Sequence, residues 1–294
     1  MTFEVPGGGF SWFGNPPANK ILTAYGLMEF YDMSKVHDMD PQVILRTQQW
    51  LAGQQQPDGS WKPDTNFINE GATNRYNSDV LRITAYLAWS LENTGYQGPA
   101  VERAKQFVEK HTGVQVNAKP DAYTLAVLAN FAADYGKDRD FTRQAMQLLL
   151  DARTEKDEQV WWTADETAVY ATGASASVET TGLAVQALLK WGQASATAAK
   201  ALTYIASKSK KDASGTWGTT QATIMALRAL LLSTGKGGAD VRGTLEISLN
   251  GKPAEKLTLT PENNDLLHLV LKGVASSATR WKSASTERAA WPTR

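Results

Sequence analysis

One phrase recurs five times along the chain, and it limits the possible folds more than any single motif does. Each copy opens with Thr and continues with almost no polar residue: Thr23 to Tyr31, Thr84 to Leu91, Thr124 to Phe131, Thr181 to Leu189 and Thr223 to Leu231. These stretches read as helices, and a helix without a polar face is covered on several sides. Gly95, Gly136, Gly192 and Gly235 follow four of the copies, where a left-handed residue would end a helix. Between the copies lie amphipathic segments, at 40–56, 99–111, 140–153 and 195–209, with one apolar face such as Val101, Ala104, Phe107 and Val108. Asp40-Pro41 and Gly98-Pro99 are helix starts with Pro in the first turn.

Buried and half-buried helices thus alternate, and the pair returns about every 40 to 60 residues, the period of helical-pair arrays. Five buried helices form the inner wall of an α/α toroid, which a sixth would complete; an open solenoid is the alternative. The toroid is the fold expected for residues 1–235. After Gly235 the pattern changes. Lys236 to Gly238 reads as a linker, and 244–249, 256–260 and 266–271 read as strands, the first followed by the hairpin signal Asn250-Gly251. A short β segment is expected over 236–274 and an irregular tail over 275–294.

A chain of 294 residues with 42% hydrophobic content can bury a large core and a smaller second piece. Thirty basic residues balance thirty acidic ones, so no charge excess favours nucleic acid or an anionic membrane. With no cysteine, the chain makes no disulfide, thiolate metal site or cysteine nucleophile. The start, Met1 to Pro6, has neither a basic nor an apolar region of the signal-peptide kind. No apolar run approaches the roughly 20 residues that span a bilayer.

Several connections share a Gly-aromatic phrase: Gly8-Gly9-Phe10-Ser11-Trp12-Phe13-Gly14, Gln56-Pro57-Asp58-Gly59-Ser60-Trp61 and Ser214-Gly215-Thr216-Trp217-Gly218, with Val160-Trp161-Trp162 as a variant. The Gly makes a tight turn, and the aromatic plugs the end of a helix pair with one polar handle. Ligand stacking on these rings is the competing use.

On these phrases the sequence resembles the thioester-containing domain of the α2-macroglobulin and complement family, in a bacterial member. Leu22-Thr23-Ala24-Tyr25 is similar to the helix that follows the family's thioester helix. The Gln54 to Trp61 stretch, with Asp58, Gly59 and Trp61, is similar to its "QxxDGxF/W" turn. Ser177-Val178-Glu179-Thr180-Thr181 is similar to its "VExTSY" helix start. Gly215 to Thr223, with Trp217 and Gln221, is similar to its "GGFxSTQAT" segment, the most specific of the four. The resemblance covers about residues 10 to 232 and implies an α6/α6 toroid running into a CUB domain.

It also implies a function: after a protease cut, an internal Cys–Gln thioester, an activated acyl donor kept from water until then, is captured by a nucleophile on the target. The family's "GCGEQ" motif needs a cysteine that this chain does not have. The first helix pair, with the motif, is therefore expected to be missing from this chain, or the parent to have no thioester. Asn69 falls where the family places a His that steers acyl transfer to hydroxyls, which for a thioester-bearing parent implies the amine-preferring, protease-trapping branch. The reading is a non-enzymatic fragment of an endopeptidase inhibitor or target-tagging protein, extracellular or periplasmic in its parent. Its partners are proteases, cell-surface nucleophiles and other domains of the same parent, with no cofactor, metal or nucleic acid.

Other chemistries have weaker anchors. His37, His111 and His268 lack ligand spacing, and Gly7-Gly8-Gly9 lacks the Lys-Ser/Thr of a phosphate loop. A glycoside hydrolase on this fold would need two carboxylates about 5–10 Å apart, with Asp64, Glu70, Asp165, Glu166 and Glu179 as candidates. Glu179, read as the start of an inner helix, has helix-dipole stabilisation as its structural use. The Asp58 turn is also similar to the repeat of triterpene cyclases, but the nearest approach to their acidic motif, Asp38-Met39-Asp40, caps a helix. A helical-repeat binding module is the third class.

Overall fold

A computed structural model of the chain describes residues 3–64, 78–112, 120–169, 171–207, 215–237, 243–249, 252–259 and 281–285. Two compact units emerge, Met1–Ala229 and Leu230–Arg294. The first is helical: α1 Lys20–Ser34, α2 Pro41–Gly53, α3 Val80–Asn93, α4 Ala100–Thr112, α5 Ala122–Tyr135, α6 Arg139–Asp151, α7 Gly173–Trp191, α8 Ser195–Ala206 and the start of α9 Thr220–Gly237. A hairpin, β1 Thr154–Lys156 and β2 Gln159–Trp161, interrupts them.

Local sequence sets the helix ends. Asn19, Asp40, Asp79, Asp121 and Asp138 cap α1, α2, α3, α5 and α6 by accepting from first-turn amides. Gly95, Gly136 and Gly192 have positive φ beyond α3, α5 and α7, as the expected stops require. Gly235 does not stop α9, which continues to Gly237 and so takes in Lys236 of the expected linker.

The Thr-led helices are the inner wall. Thr23, Thr84, Thr124 and Thr181 are buried and Thr223 is half-buried. α1 packs on α3, α3 on α5 and α5 on α7. Gly182 brings α7 against the Met225 backbone of α9, where an added Cβ would lie 2.8 Å from its carbonyl. Arg228 of α9 pairs with Glu29 of α1 at 3.3 Å and with Asp32. First and last inner helices are thereby joined. α2, α4, α6 and α8 each back one inner helix, burying only a stripe such as Phe141, Ala145, Met146 and Leu149 of α6. This double layer is an α/α toroid, with five inner and four outer helices among the described residues.

The second unit holds β3 Gly243–Leu249, β4 Lys252–Leu259 and β5 Trp281–Ser285, in the order β4-β3-β5 and all antiparallel. Residues 250–251 and 266–271, expected as a hairpin turn and a strand, lie outside the described residues. The tail expected to be irregular, 275–294, instead contains β5, paired from Leu245↔Ser285 to Leu249↔Trp281. Pairing of this kind comes from backbone bonds to an existing edge, which leave little trace in a sequence of Ser, Ala and Lys.

Candidate functional site

The Gly-aromatic turns share one geometry. The backbone N–H of the aromatic residue donates to the Oγ1 of the Thr that opens the next inner helix phrase. The pairs are Phe10 to Thr23 at 2.9 Å, Trp61 to Thr84 at 3.1 Å, Trp162 to Thr181 at 3.1 Å and Trp217 to Thr223 at 3.2 Å. In the three tryptophan turns the indole Nε1–H donates to a carbonyl at the end of the preceding outer helix. These acceptors are Leu51, Leu149 and Ile205, at 2.8, 2.7 and 2.9 Å. Each Trp thus ties an outer helix to the inner helix after it, adding a donor to a last-turn carbonyl; those of Leu51 and Leu149 also accept from Gln54 N at 3.1 Å and Ala152 N at 3.2 Å.

Glycine makes these turns possible. Gly59 has φ +90°, and a side chain there would run into the Arg103 carbonyl of α4. Asp58 accepts from Ser60 N at 3.0 Å and Ser60 Oγ at 2.7 Å, bonds that hold its carboxyl below the usual range. Gly215 has φ +80°, and Ser175 of α7 donates to the Trp217 carbonyl at 3.0 Å. Gln221 is half-buried in the first turn of α9. Of the Val160-Trp161-Trp162 variant, Trp162 is the clamp; Trp161 stacks on Tyr204 of α8, with ring centroids 5.3 Å apart. Trp61, Trp162 and Trp217 are buried, so their faces are closed to ligand. The first turn differs: Phe10 and Trp12 line an open groove of about 640 Å³ with Phe3, Leu22, Tyr25 and Phe30.

The second site is the interior carboxyl of Glu179, 1% exposed. The expectation that it begins a helix is corrected, because α7 starts at Gly173 and Glu179 lies in its second turn. The helix extends backward through Gly173-Ala174-Ser175-Ala176, small residues with no apolar stripe to announce it. The carboxyl therefore serves no helix dipole; it meets hydroxyls. Thr167 Oγ1 donates to Oε2 at 2.9 Å, and the Tyr123 hydroxyl of α5 donates as well. Burial pushes Glu179 up to about 8, against the pull of these two bonds. Its field and burial raise Tyr86 of α3, burial first. Tyr25 of α1 is pushed up to about 12 by burial and then by Glu29. Sequence reasoning missed Thr167, Tyr123 and Tyr86, because contacts between distant segments carry no local signal.

The remaining candidates disperse. Asp64 pairs with Lys20 at 2.5 Å, Asp165 is exposed and Glu166 half-buried. The bonds that Glu179 makes are to the Thr167 and Tyr123 hydroxyls. Asn69, the expected steering position, lies outside the described residues, as do Glu70 and His268. Asp40 caps α2 through Gln42 N at 2.9 Å. His37 is exposed, and His111 stacks on Phe107, centroids 4.0 Å apart. Among the described residues no group of three or more His, Asp or Glu could hold a metal, and no helix is long and apolar enough to cross a membrane.

Residues 1–232 match the family described as the A-macroglobulin TED domain. Ovostatin of Gallus gallus is 24% identical over 164 residues, which are 55% of this chain and 11% of that protein. The chain thus spans about a tenth of the length of that relative.

Proposed function

Since the chain belongs to the A-macroglobulin TED family, the thioester domain of α2-macroglobulin-like proteins, we propose that it is the target-engaging domain of a longer protein that restrains endopeptidases or tags surfaces. The match over residues 1–232, coinciding with a toroid of Thr-led inner helices, carries this reading. The chain acts as a scaffold and not as an enzyme. Trp61, Trp162 and Trp217 clamp helix pairs, and the buried carboxyl of Glu179 faces hydroxyls. With no cysteine in the chain, any thioester of the whole protein is closed by a residue outside it. The partners are then proteases or surface nucleophiles, met outside the cytoplasm, together with neighbouring domains of the parent; a bacterial source fits this reading.

The test uses the full-length protein. Incubated with an endopeptidase, it is cut and then blocks digestion of a large protein substrate while sparing a small peptide substrate. Incorporation of methylamine by the untreated protein separates a thioester-bearing parent from one that traps without it. A protease that digests large and small substrates at undiminished rates contradicts the proposal.

A further inference from the structure

The described residues of the loop between β2 and α7 are folded onto the inner wall, and Thr167 ties them to an interior carboxyl. Thr167, Ala168, Val169 and Ala171 are buried. Thr167 N donates to the Ala171 carbonyl at 3.0 Å, and Gly173 N to that of Asp165 at 2.8 Å. A bridge between Glu166 and Thr172 closes the base, and Ser177 Oγ lies 3.2 Å from both N and O of Ala164. Thr167 Oγ1 accepts from Ala171 N at 3.1 Å and donates to Glu179 at 2.9 Å. This hydroxyl therefore couples the loop's own fold to the carboxyl beneath it.

Among the described residues, the groups that bond Glu179 are hydroxyls, not cations. α5 contributes the Tyr123 hydroxyl, and the loop contributes Thr167. Tyr86 of α3 and Tyr25 of α1 share its field, as do Glu29 of α1 and Arg228 of α9 through those tyrosines. Arg228 is itself paired with Glu29 and Asp32. A charged carboxylate here is short of solvation, and lifting the loop lets water reach it.

We propose that Glu179 is a proton-dependent latch for the loop carrying Thr167: the protonated carboxyl keeps the loop seated on the inner helices, and its ionisation releases the loop. The sign follows from linkage. The seated form holds the proton to a higher pH than the lifted, solvated form. Lifting therefore becomes easier as pH rises through the interval between the two, and levels off once both are charged.

The experiment is hydrogen exchange of the full chain, read at residues 164–169 and corrected for the intrinsic pH dependence of exchange. In the wild type, protection falls by up to about tenfold per pH unit between pH 5 and 8 and flattens above. In Glu179→Gln, where a neutral amide oxygen still accepts from Thr167, protection stays level across that range. Thr167→Val, which leaves the carboxyl in place and removes its tie to the loop, has low protection in this stretch already at pH 5, while the amides of α5 keep theirs. A wild type and a Glu179→Gln variant that lose protection in parallel would overturn the latch. So would a Thr167→Val variant that is protected like the wild type, a result readable even if Glu179→Gln does not fold.

Discussion

At the scale of single residues, the tryptophan turns convert one side chain into two joints. Trp162 donates its indole N–H to Leu149 and its backbone N–H to Thr181. Trp162→Phe preserves most of the buried ring but leaves the Leu149 carbonyl without that donor. That carbonyl keeps Ala152 N as a donor, so the expected loss is about 0.5–1.5 kcal/mol in urea unfolding, and Trp161→Phe, on a half-buried ring stacked at the surface, costs less. The turn chemistry was legible because Asp-Gly and Gly-aromatic pairs are local signals. The partner of each ring was not, since a carbonyl acceptor has no residue identity. Glu179 gives a pH signature of its own. It is pushed up to about 8 in the fold against about 4.3 in an unfolded chain. Between those values the unfolded chain has lost the proton that the folded one keeps, so this group makes stability fall as pH rises. Glu179→Gln removes the dependence. Its stability relative to wild type therefore grows from pH 4 to pH 8, by a few kcal/mol on the order of magnitude, and then levels off; urea midpoints at a series of pH values read it.

Among the elements, the close approach of α7 and α9 turns on Gly182, with Met225 backbone where a Cβ would stand. Gly182→Ala separates the helices at a cost of about 1–3 kcal/mol. Gly53, at the end of α2, has open space around it, so Gly53→Ala is neutral or gains up to about 1 kcal/mol. Thermal melts of the pair decide whether crowding or helix propensity governs. Nothing in the sequence distinguishes these two glycines, since both sit in helical patterns; only the neighbouring backbone does. Helix existence was legible from Thr-led apolar phrases and from caps such as Asp40 and Gly136. The early start of α7 and the late end of α9 were hidden, because Gly173-Ala174-Ser175-Ala176 and Gly235-Lys236-Gly237 lack apolar periodicity. β5 escaped for the same reason: its five residues, Trp281 to Ser285, are placed by pairing with β3.

For the molecule as a whole, alternation of buried and half-buried helices gave the double wall, while the ion pairs that join its first and last inner helices are long-range facts. Arg228 sits in a phrase that otherwise reads as apolar, and its partners Glu29 and Asp32 lie almost the full length of the domain away in sequence. The absence of cysteine makes this junction directly measurable. With Asp32→Cys and Arg228→Cys in the same chain, a short bismaleimide is expected to link the two positions within one molecule at low protein concentration, giving a monomer of shifted mobility on denaturing gels. Single variants should give no such species. Two thiols that both react yet never join, or that join only between molecules, would contradict the toroid.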